Sequence, residues 1–488
     1  MNKVLYTLSA MLGLLIIILL VNTVLFTSKQ VSVSPLELIE VDKQAVASRL
    51  SNAVQLKTVS NQNSNEFDAT AILQLHQHLA NSFPQVHATL EKTVINQFSL
   101  LYKWNGINTE QKPVILMAHL DVVPIEPETA PQWEHPPFSG LISDGFVWGR
   151  GTLDNKSNLT AQLEAIENLI KSGFRPERTI FLAYGHDEET GGEQGARAIA
   201  DHLKKQGVQA SFTLDEGMMI VDKKLSPIKK NTGIIGIAEK GYLTLKVLAR
   251  EQGGHSSMPP EKLTLLTLAH AIESLVSNQL PASLSGSSGA LFDYLGPEMP
   301  FLQKMLFANR WLFEPVILMV LERQKTTNAM LRTTTAPTMI QGGVKENVLP
   351  SQAHVLVNFR ILPGETPQSV LAHAKKVIDD PAVEVQIHQS SSTPPSRVSR
   401  SDSEAFHLIA KSLRQVFPGT VITPGLLLAA TDSKHYETVA DDNYRFSPFT
   451  LGPDDIPRIH GNNERIGLED YAKMIQFYVQ LIRNTADL

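Results

Sequence analysis

The sequence predicts an α/β protein, in which a mostly parallel sheet flanked by helices carries an inserted α+β domain and follows one membrane-spanning helix. Three observations predict this fold class. Short apolar runs, typical of buried parallel strands, alternate with segments of helical periodicity. From about residue 241, strands and two helices follow the order βαββαβ of a split sandwich. A long uncharged stretch precedes both parts.

Length and composition set broad limits. The 488 residues exceed what one core holds, so we expect two or three folded units. The net charge of -6 is mild and gives no indication of a nucleic-acid partner. The chain has no cysteine, which excludes disulfides, thiolate metal ligands and a cysteine nucleophile but is neutral on cellular compartment.

The N-terminus predicts a signal anchor at residues 4–27. No charged residue occurs from Val4 to Ser28, a length that suits a membrane-spanning helix. A cleaved signal peptide is the alternative, although no small-residue cleavage site follows. Lys3 precedes the span, which by the positive-inside rule leaves the bulk of the chain on the non-cytoplasmic side. Residues 28–40 are predicted to form a stalk.

Residues 41–240 form the first part of the predicted main domain. Apolar runs predict its strands, and recurrence every three to four residues predicts its helices. The predicted elements are, in order, helices at 41–50 and 68–79, strands at 98–104 and 113–118, a helix from Leu159, a strand at 179–184, a helix at 193–205 and a strand at 211–214.

Residues 241–390 form the predicted second domain, after which 391–488 return to the main one. The predicted elements are a strand at 243–249, a helix at 264–276, strands at 338–340 and 355–360, a helix at 367–378 and a strand at 383–387. An apolar insert at 285–325 predicts core or a subunit interface; a pocket for an apolar substrate and contact with the membrane are the alternatives. In the returning part, Pro424-Gly425 predicts a loop.

Several strands end in an acid or a histidine. His119 and Asp121 point the same way from one strand end, which suits a metal ligand and the carboxylate that orients its ring. Glu188 and Glu189 follow the next predicted strand, where the alternative is a solvated acidic loop. Because sites form at the carboxyl ends of parallel strands, we expect these side chains to converge.

The complete constellation predicts two divalent cations. Carboxylates and imidazoles suit zinc and leave positions for water. Two such ions about 3.5–4 Å apart can share a hydroxide, and Glu188 would then move its proton to a leaving amine. The predicted ligands are His119, Asp154 as the bridge, Glu189, Asp215 and His460. Taken alone, Asp154 would be a helix cap. The absence of HExxH and GxSxG patterns lowers the support for single-zinc helix-type proteases and serine hydrolases.

The chain resembles the di-zinc peptidase family that contains aminoacylase, glutamate carboxypeptidase, acetylornithine deacetylase and yeast carboxypeptidase S. Matching motifs occur in family order over nearly everything after the apolar stretch. They are Ala118–Pro124, Gly149–Asp154, Asp187–Gly192, Gly253–Ser257 and Ile459–Gly461. Asn155, the apolar insert and the run Asn347–Pro350 are most similar to the branch of carboxypeptidase S and the N-fatty-acyl-amino-acid hydrolases.

The resemblance implies a role for each residue. One zinc would be held by Asp154, Glu189 and His460, and the other by His119, Asp154 and Asp215. Asp121 would orient His119, and Glu188 would be the general base.

The resemblance also implies that 241–390 are a lid and dimerisation domain. His255 in this lid would stabilise the oxyanion, often from the partner subunit in the family. Asn347 and Arg360 would hold a substrate carboxylate, which suits the arginine fork. A turn residue and a surface ion pair are the alternatives for these two.

The implied function is cleavage of an amide bond next to a free carboxylate. A carboxypeptidase acting on short peptides is the first expectation, and an N-acyl amino acid hydrolase or synthase, with a long acyl chain among the options, is the second. A metal-free binding protein on the same fold is the remote alternative. We expect no nucleic-acid partner, and a homodimer through the lid.

Overall fold

The computed structural model describes residues 2–61, 67–224 and 228–488. Helix α1 (Asn2–Leu25) is predominantly apolar and long enough to cross a membrane by length and composition, a test that an N-terminal signal sequence also passes. Residues 26–42, which include the predicted stalk, have no regular secondary structure. They nevertheless lie against the main domain, because the Gln30 side chain exchanges two hydrogen bonds with the Ile422 backbone, at 2.7 and 2.8 Å.

The first part of the main domain contains five helices and nine strands in the described residues. Its helices are α2 (Lys43–Val54), α3 (Ala69–Ser82), α4 (Pro84–Thr89), α5 (Lys156–Lys171) and α6 (Ala196–Lys205). Its strands are β1 (Glu91–Ile95), β2 (Ser99–Trp104), β3 (Val114–His119), β4 (Ile142–Ser143), β5 (Phe146–Trp148), β6 (Ile180–Gly185), β7 (Ala210–Asp215), β8 (Ile220–Val221) and β9 (Thr232–Glu239).

The second domain is a four-stranded antiparallel sheet covered by two helices, with a helical insert. Its elements are β10 (Gly241–Arg250), β11 (Gly254–His255), α7 (Thr264–Ser277), α8 (Gly286–Leu295), α9 (Phe301–Ala308), α10 (Arg310–Leu321), α11 (Lys325–Leu331), β12 (Thr334–Gly342), β13 (Val348–Leu349), β14 (Gln352–Ile361), α12 (Pro367–Ile378) and β15 (Val383–Thr393). The sheet order is β12-β14-β10-β15, and α7 and α12 pack on one face. Without the insert and the two short strands, this is the predicted βαββαβ order.

The chain then returns to the main sheet. The last elements are α13 (Glu404–Val416), β16 (Val421–Leu427), β17 (Ala440–Arg445), β18 (Thr450–Leu451), β19 (Arg465–Gly467) and α14 (Leu468–Asn484). The loop predicted at Pro424-Gly425 is wrong, since both residues lie in β16. In the described part of the chain β16 pairs only with β9, and an edge strand tolerates a proline because one side of its ladder is unused.

The main sheet has a parallel centre and mixed edges, which confirms the predicted fold class. Its order is β1-β2-β6-β3-β7-β17-β9-β8-β18, with β16 beside β9. The central strands β6, β3, β7 and β17 run parallel. Strands β3 and β6 are buried on both faces, which explains their continuous apolar sequences. Their carboxyl ends, His119 and Gly185, lie side by side at one edge.

Candidate metal centre and active site

The site is built at the carboxyl edge of the parallel strands. His119 is the last residue of β3, and Glu188 and Glu189 lie in a short 3-10 turn directly after β6. Asp154 precedes α5, and its peptide bond to Asn155 is cis. His460 lies in the loop before β19. Four separate segments of the chain thus contribute side chains to one edge of the sheet.

His119 is held by carboxylates on both ring nitrogens. Its Nδ1 lies 2.9 Å from the backbone oxygen of Asp121 and 3.3 Å from the carboxylate Oδ1 of the same residue. The Asp121 carboxylate also accepts the backbone N–H groups of Glu188 and Glu189, each at 3.2 Å. Asp121 therefore fixes the imidazole and, at the same time, the turn that carries the two glutamates.

Asp154 lies between the two imidazoles. Its Oδ1 is 2.9 Å from His119 Nε2, and its Oδ2 is 3.0 Å from His460 Nε2. Burial raises the pKa of Asp154, but the two histidines outweigh burial and hold that pKa well below its usual value. Hydrogen bonds with Asp154 and Glu189 raise the pKa of His460 to about 10. A carboxylate with one oxygen toward each imidazole has the geometry of a bridging ligand.

The structure places Glu216, and not the predicted Asp215, beside His119. Glu216 Oε1 lies 3.2 Å from His119 Nε2, and its other oxygen accepts a hydrogen bond from the Asn155 amide. Asp215 Oδ1 accepts the N–H of Glu216 at 2.9 Å, and among the described residues Asp215 Oδ2 has no hydrogen-bond partner. Burial raises the pKa of Asp215 to about 6 and that of Glu216 to about 8.

The donor set fits metal ions. In the described residues, three groups have ligand atoms within 4.8 Å of one another: His119 with Asp154 and Glu216, His119 with Glu188 and Glu189, and Asp154 with Glu189 and His460. Burial and neighbouring carboxylates raise the pKa values of Glu189 and Glu216. Since close buried carboxylates repel one another, a cation is a partner that suits their chemistry.

Glu188 belongs to one of these groups, with His119 and Glu189, and keeps part of its surface accessible. Burial raises its pKa well above the usual value, His119 lowers it, and the carboxylates of Glu216, Asp432 and Glu189 raise it further. A carboxylate with a raised pKa is suited to accept and release a proton near neutral pH. Its neighbour Glu189 in turn faces His460, at 3.4 Å between Oε2 and Nε2.

Asp432 is a buried acid to which the sequence analysis assigned no role. A side chain at Gly192 would place its Cβ 1.9 Å from Asp432 Oδ1, and one at Gly185 would be 2.7 Å from Oδ2. These two glycines bracket the turn of Glu188 and Glu189, so their lack of a side chain lets Asp432 pack beneath that turn. His435 also contacts the turn, with Nε2 2.9 Å from the Gly191 carbonyl oxygen.

Glu464 is a second residue that the sequence analysis missed. Its Oε1 accepts the backbone N–H groups of Gly151, Leu153 and Asp154, at 3.0, 2.7 and 3.2 Å. Its Oε2 accepts Arg150 Nη1 at 2.5 Å, and Arg150 Nη2 donates to the backbone oxygen of His460 at 3.1 Å. One buried carboxylate thus joins the loops that carry Asp154 and His460. In the sequence, only the position of Glu464 four residues after His460 could have indicated a role near the site.

All three predicted lid residues lie on the second domain, with His255 and Asn347 near the Gln352 end of β14 and Arg360 near its opposite end. His255 in β11 pairs with Val348 in β13, and the N–H of Ser256 donates to the Asn347 backbone oxygen at 3.2 Å. Arg360 lies in β14, with its guanidinium 5.0 Å from the Tyr242 ring centroid. Within the described residues, these three side chains make no hydrogen bond or ion pair with the acidic cluster. Their roles in substrate binding stay predictions.

Comparison with known proteins establishes the family. The model of peptidase family M20/M25/M40 matches residues 115–484. The chain belongs to the M20 peptidase family. It is therefore a hydrolase of metallopeptidase type, in a family that is metal-dependent and typically uses zinc.

Three M20 relatives cover most of the chain. A probable carboxypeptidase S-like 2 of Dictyostelium discoideum is 38% identical over 97% of the chain and 92% of its own length. An N-fatty-acyl-amino acid synthase/hydrolase PM20D1 of Xenopus tropicalis is 38% identical over 92% of the chain and 87% of its own. Carboxypeptidase S of Saccharomyces cerevisiae is 30% identical over 89% and 83%. The predicted branch of the family is thereby confirmed.

Solved structures support the M20 fold. The metallo-carboxypeptidase Sso-CP2 of Sulfolobus solfataricus superimposes with a TM-score of 0.65 at 18% identity, covering 92% of this chain and all of its own. Human carnosine dipeptidase 1 superimposes with a TM-score of 0.61 at 15% identity, covering 91% of this chain and 97% of its own.

Proposed function

We propose that this M20 protein uses two zinc ions to hydrolyse an amide bond next to a free carboxylate. The observation that carries the proposal is Asp154, which directs one oxygen to each of two imidazoles. One zinc would be held by Asp154, Glu189 and His460. The other would be held by His119, Asp154 and Glu216, with Glu216 replacing the predicted Asp215 because it lies beside His119.

The metals, when bound, would polarise the substrate carbonyl and lower the pKa of the attacking water. Glu188 accepts a proton as the water oxygen attacks the carbonyl carbon. It then donates that proton to the nitrogen as the carbon–nitrogen bond breaks, so the amine leaves neutral. Asp121 keeps Glu188 in place through the backbone N–H of that residue. The proposed roles of His255, Asn347 and Arg360 are to reach the substrate from the lid.

Short peptides trimmed from the C-terminus are the first proposed substrates. N-acyl amino acids, including those with long acyl chains, are the second. Relatives at about the same identity are named for each activity, carboxypeptidase S-like and N-fatty-acyl-amino acid synthase/hydrolase.

The proposal is tested with the zinc-loaded full chain in detergent and a panel of dipeptides and N-acyl amino acids. Glu188→Gln removes the base, so turnover should fall by about 10²–10⁴-fold while the bound zinc is retained. Glu193→Gln, an exposed acid paired with Arg197, is the matched control and should turn over normally. A chelator should abolish the activity. Equal turnover by Glu188→Gln and the unaltered chain would contradict the role of Glu188 as the base. Activity that persists without metal would contradict the proposed zinc mechanism.

We also propose that α1 anchors the enzyme, with the catalytic body on the non-cytoplasmic side. Support comes from the uncharged run of α1 after Lys3 and from Lys3 itself at the start of the helix. A homodimer through the lid is proposed from β12, which is an edge strand with Met339 and Ile340 exposed. A protease protection assay on sealed vesicles tests the sidedness, and light scattering tests the dimer. Degradation of the catalytic body from the cytoplasmic face would contradict the topology.

A further inference from the structure

The helical insert carries an apolar surface that no other part of the described chain covers. On α9, Phe301 and Leu302 are exposed, and on α10 an outward face repeats at helical spacing with Leu312, Val316, Met319 and Val320, beside the exposed Trp311. The charged residues of α10 are Arg310 and Glu314 alone, out of twelve. A helix with so few charges and an apolar outward face is typical of a large core or of contact with a membrane.

The opposite face of this insert is packed normally. Ile317 of α10 and Phe307 of α9 are buried in a cluster with Leu291, Phe292 and Leu331. Phe292 and Phe307 stack with ring centroids 4.8 Å apart. The inner face is therefore the core of the insert, and the outer face of α9 and α10 is a separate apolar patch. We call α9 and α10, residues 301–321, the hairpin.

The hairpin is joined to the membrane-spanning helix candidate. Asn22 of α1 donates its amide to Asn309 Oδ1 at 2.9 Å, and Asn309 donates to the Leu19 carbonyl oxygen at 3.1 Å. Asn309 is fully buried between α9 and α10. Phe26, just after α1, packs in the same cluster as Phe307. Asparagine pairs between helices are suited to an apolar medium, because each amide would otherwise lack a partner.

The position of this contact sets the depth of the hairpin. Leu19 precedes the end of α1 by six residues, which is about 9 Å along a helix. The apolar part of α1 is close to the roughly 30 Å thickness of the hydrocarbon layer. If α1 spans, Asn309 lies at or inside the hydrocarbon boundary. The segment after α1 keeps the helix close to the main domain, because the Gln30 side chain is hydrogen-bonded to the Ile422 backbone.

We propose that the hairpin is a second membrane contact, with its outer face inserted in the leaflet next to the catalytic body. This inference rests on the proposed anchoring by α1. Trp311 at the start of α10 has the amphipathic ring that favours the interface, and the exposed Arg323 and Lys325 beyond its end can pair with lipid phosphates. Two contacts, unlike one flexible anchor, fix the orientation of the active site relative to the bilayer.

The test uses the absence of native cysteines. Single cysteines at Leu302 and Met319, on different helices and 69% and 58% exposed, take a nitroxide label in the full chain reconstituted into phosphatidylcholine vesicles. Leu14→Cys in α1 reports on the anchor, and Ile107→Cys is the aqueous control; both positions are 59% exposed. Oxygen partitions into lipid and a nickel chelate into water, so the ratio of the two accessibilities measures immersion.

The expected result is an oxygen-to-nickel ratio at both hairpin sites that lies several-fold above that of Ile107→Cys and no higher than that of Leu14→Cys, which is near the middle of α1. Aqueous ratios at both hairpin sites with Leu14→Cys in lipid would overturn the inference and leave the anchor intact. Aqueous ratios at all four sites would overturn both. Lipid ratios at the hairpin with an aqueous Leu14→Cys would contradict the anchor and thereby overturn the inference of a second contact, which rests on it.

A second copy of the chain is the competing occupant of the outer face of the hairpin. It would exclude both probes and broaden the spectra through spin–spin coupling between subunits, and this outcome also overturns the inference. Retained turnover in each variant verifies its folding. The two hairpin sites are on different helices. If one cysteine variant fails to fold, the other therefore still tests whether the hairpin is immersed in lipid.

Discussion

Glu216 Oε1 lies 3.2 Å from His119 Nε2, on the same nitrogen that faces Asp154. The neighbouring Asp215 accepts the N–H of Glu216, and no ion pair joins it to His119 among the described residues. Two consecutive acids at the end of β7 thus have different surroundings. A metal held by His119 and Asp154 would meet Glu216 as its third protein ligand.

The first prediction distinguishes these two acids. Glu216→Gln should lose part of the bound zinc and most of the turnover, because the amide is a much weaker ligand than the carboxylate. Asp215→Asn, the matched control one residue away, should keep its zinc. Elemental analysis after dialysis measures both. Loss of zinc from Asp215→Asn, with normal content in Glu216→Gln, would restore Asp215 as the ligand.

The second prediction concerns Glu464. Glu464→Gln leaves the backbone N–H groups of the Asp154 loop with a neutral acceptor and removes the ion pair to Arg150. Outer groups that orient ligands typically contribute about 10–100-fold to metal affinity. We expect zinc affinity to weaken by that order, with turnover rescued by added zinc. Competition with a chromophoric chelator measures the affinity.

The control for this variant is Glu469→Gln, an exposed acid near the start of α14. It should leave zinc affinity unchanged. A merely structural role of Glu464 would lower the melting temperature without the zinc rescue, and that result would contradict its assignment as a positioning residue.

The third prediction is about stability. Arg445 Nε pairs with Glu239 Oε1 at 2.6 Å, and both side chains are buried. Thr431 and Ser433 also donate hydrogen bonds to this carboxylate. The Glu239 carboxylate therefore holds the residues on either side of Asp432 in place. Arg445→Met would leave the buried charge of Glu239 without its cation, at a cost of about 3–5 kcal/mol in the free energy of unfolding.

Arg250→Met is the comparison for Arg445→Met. Arg250 pairs with Glu384 at 2.9 Å on the surface, where such pairs contribute about 0–1 kcal/mol. Urea denaturation of both variants in the same detergent measures the difference. Equal free energies of unfolding for Arg445→Met and Arg250→Met would contradict the prediction, since the buried ion pair would then contribute no more than the surface one.

The fourth prediction is a pH dependence from Lys240, at the junction of the two domains. Its Nζ donates to the carbonyl oxygens of Ala329 and Arg332, each at 2.7 Å, and burial lowers its pKa to about 7. Between that value and the ordinary lysine pKa, the unfolded chain binds more protons than the folded one. The free energy of unfolding should therefore rise with pH across this window, by about 1.4 kcal/mol per pH unit.

Lys240→Met removes this contribution. The stability of the unaltered chain relative to Lys240→Met should be constant below about pH 6 and should increase from about pH 7 to pH 9. Lys204→Met, at an exposed site on α6, provides the baseline. Parallel stability curves for the unaltered chain and Lys240→Met would contradict the prediction.

Much of the fold was predictable because its signals are local. The apolar runs at 113–118 and 179–184 are continuous because β3 and β6 are buried on both faces, and that pattern depends only on the residues themselves. The position of His119 at the end of β3 follows from the same run. The helix predicted from Glu193 begins only at Ala196, since terminal residues depend on contacts that periodicity does not record.

The sequence by itself determined the α/β class, the order of the elements and the residue types that converge at the strand ends. Only the tertiary structure places Glu216 beside His119, because adjacent residues differ in the direction of their side chains and not in pattern. It alone showed Glu464 beneath the Asp154 loop and Asn309 against Asn22, pairs that lie 310 and 287 residues apart. Such pairs are decided by packing, since no local periodicity connects residues so distant along the chain.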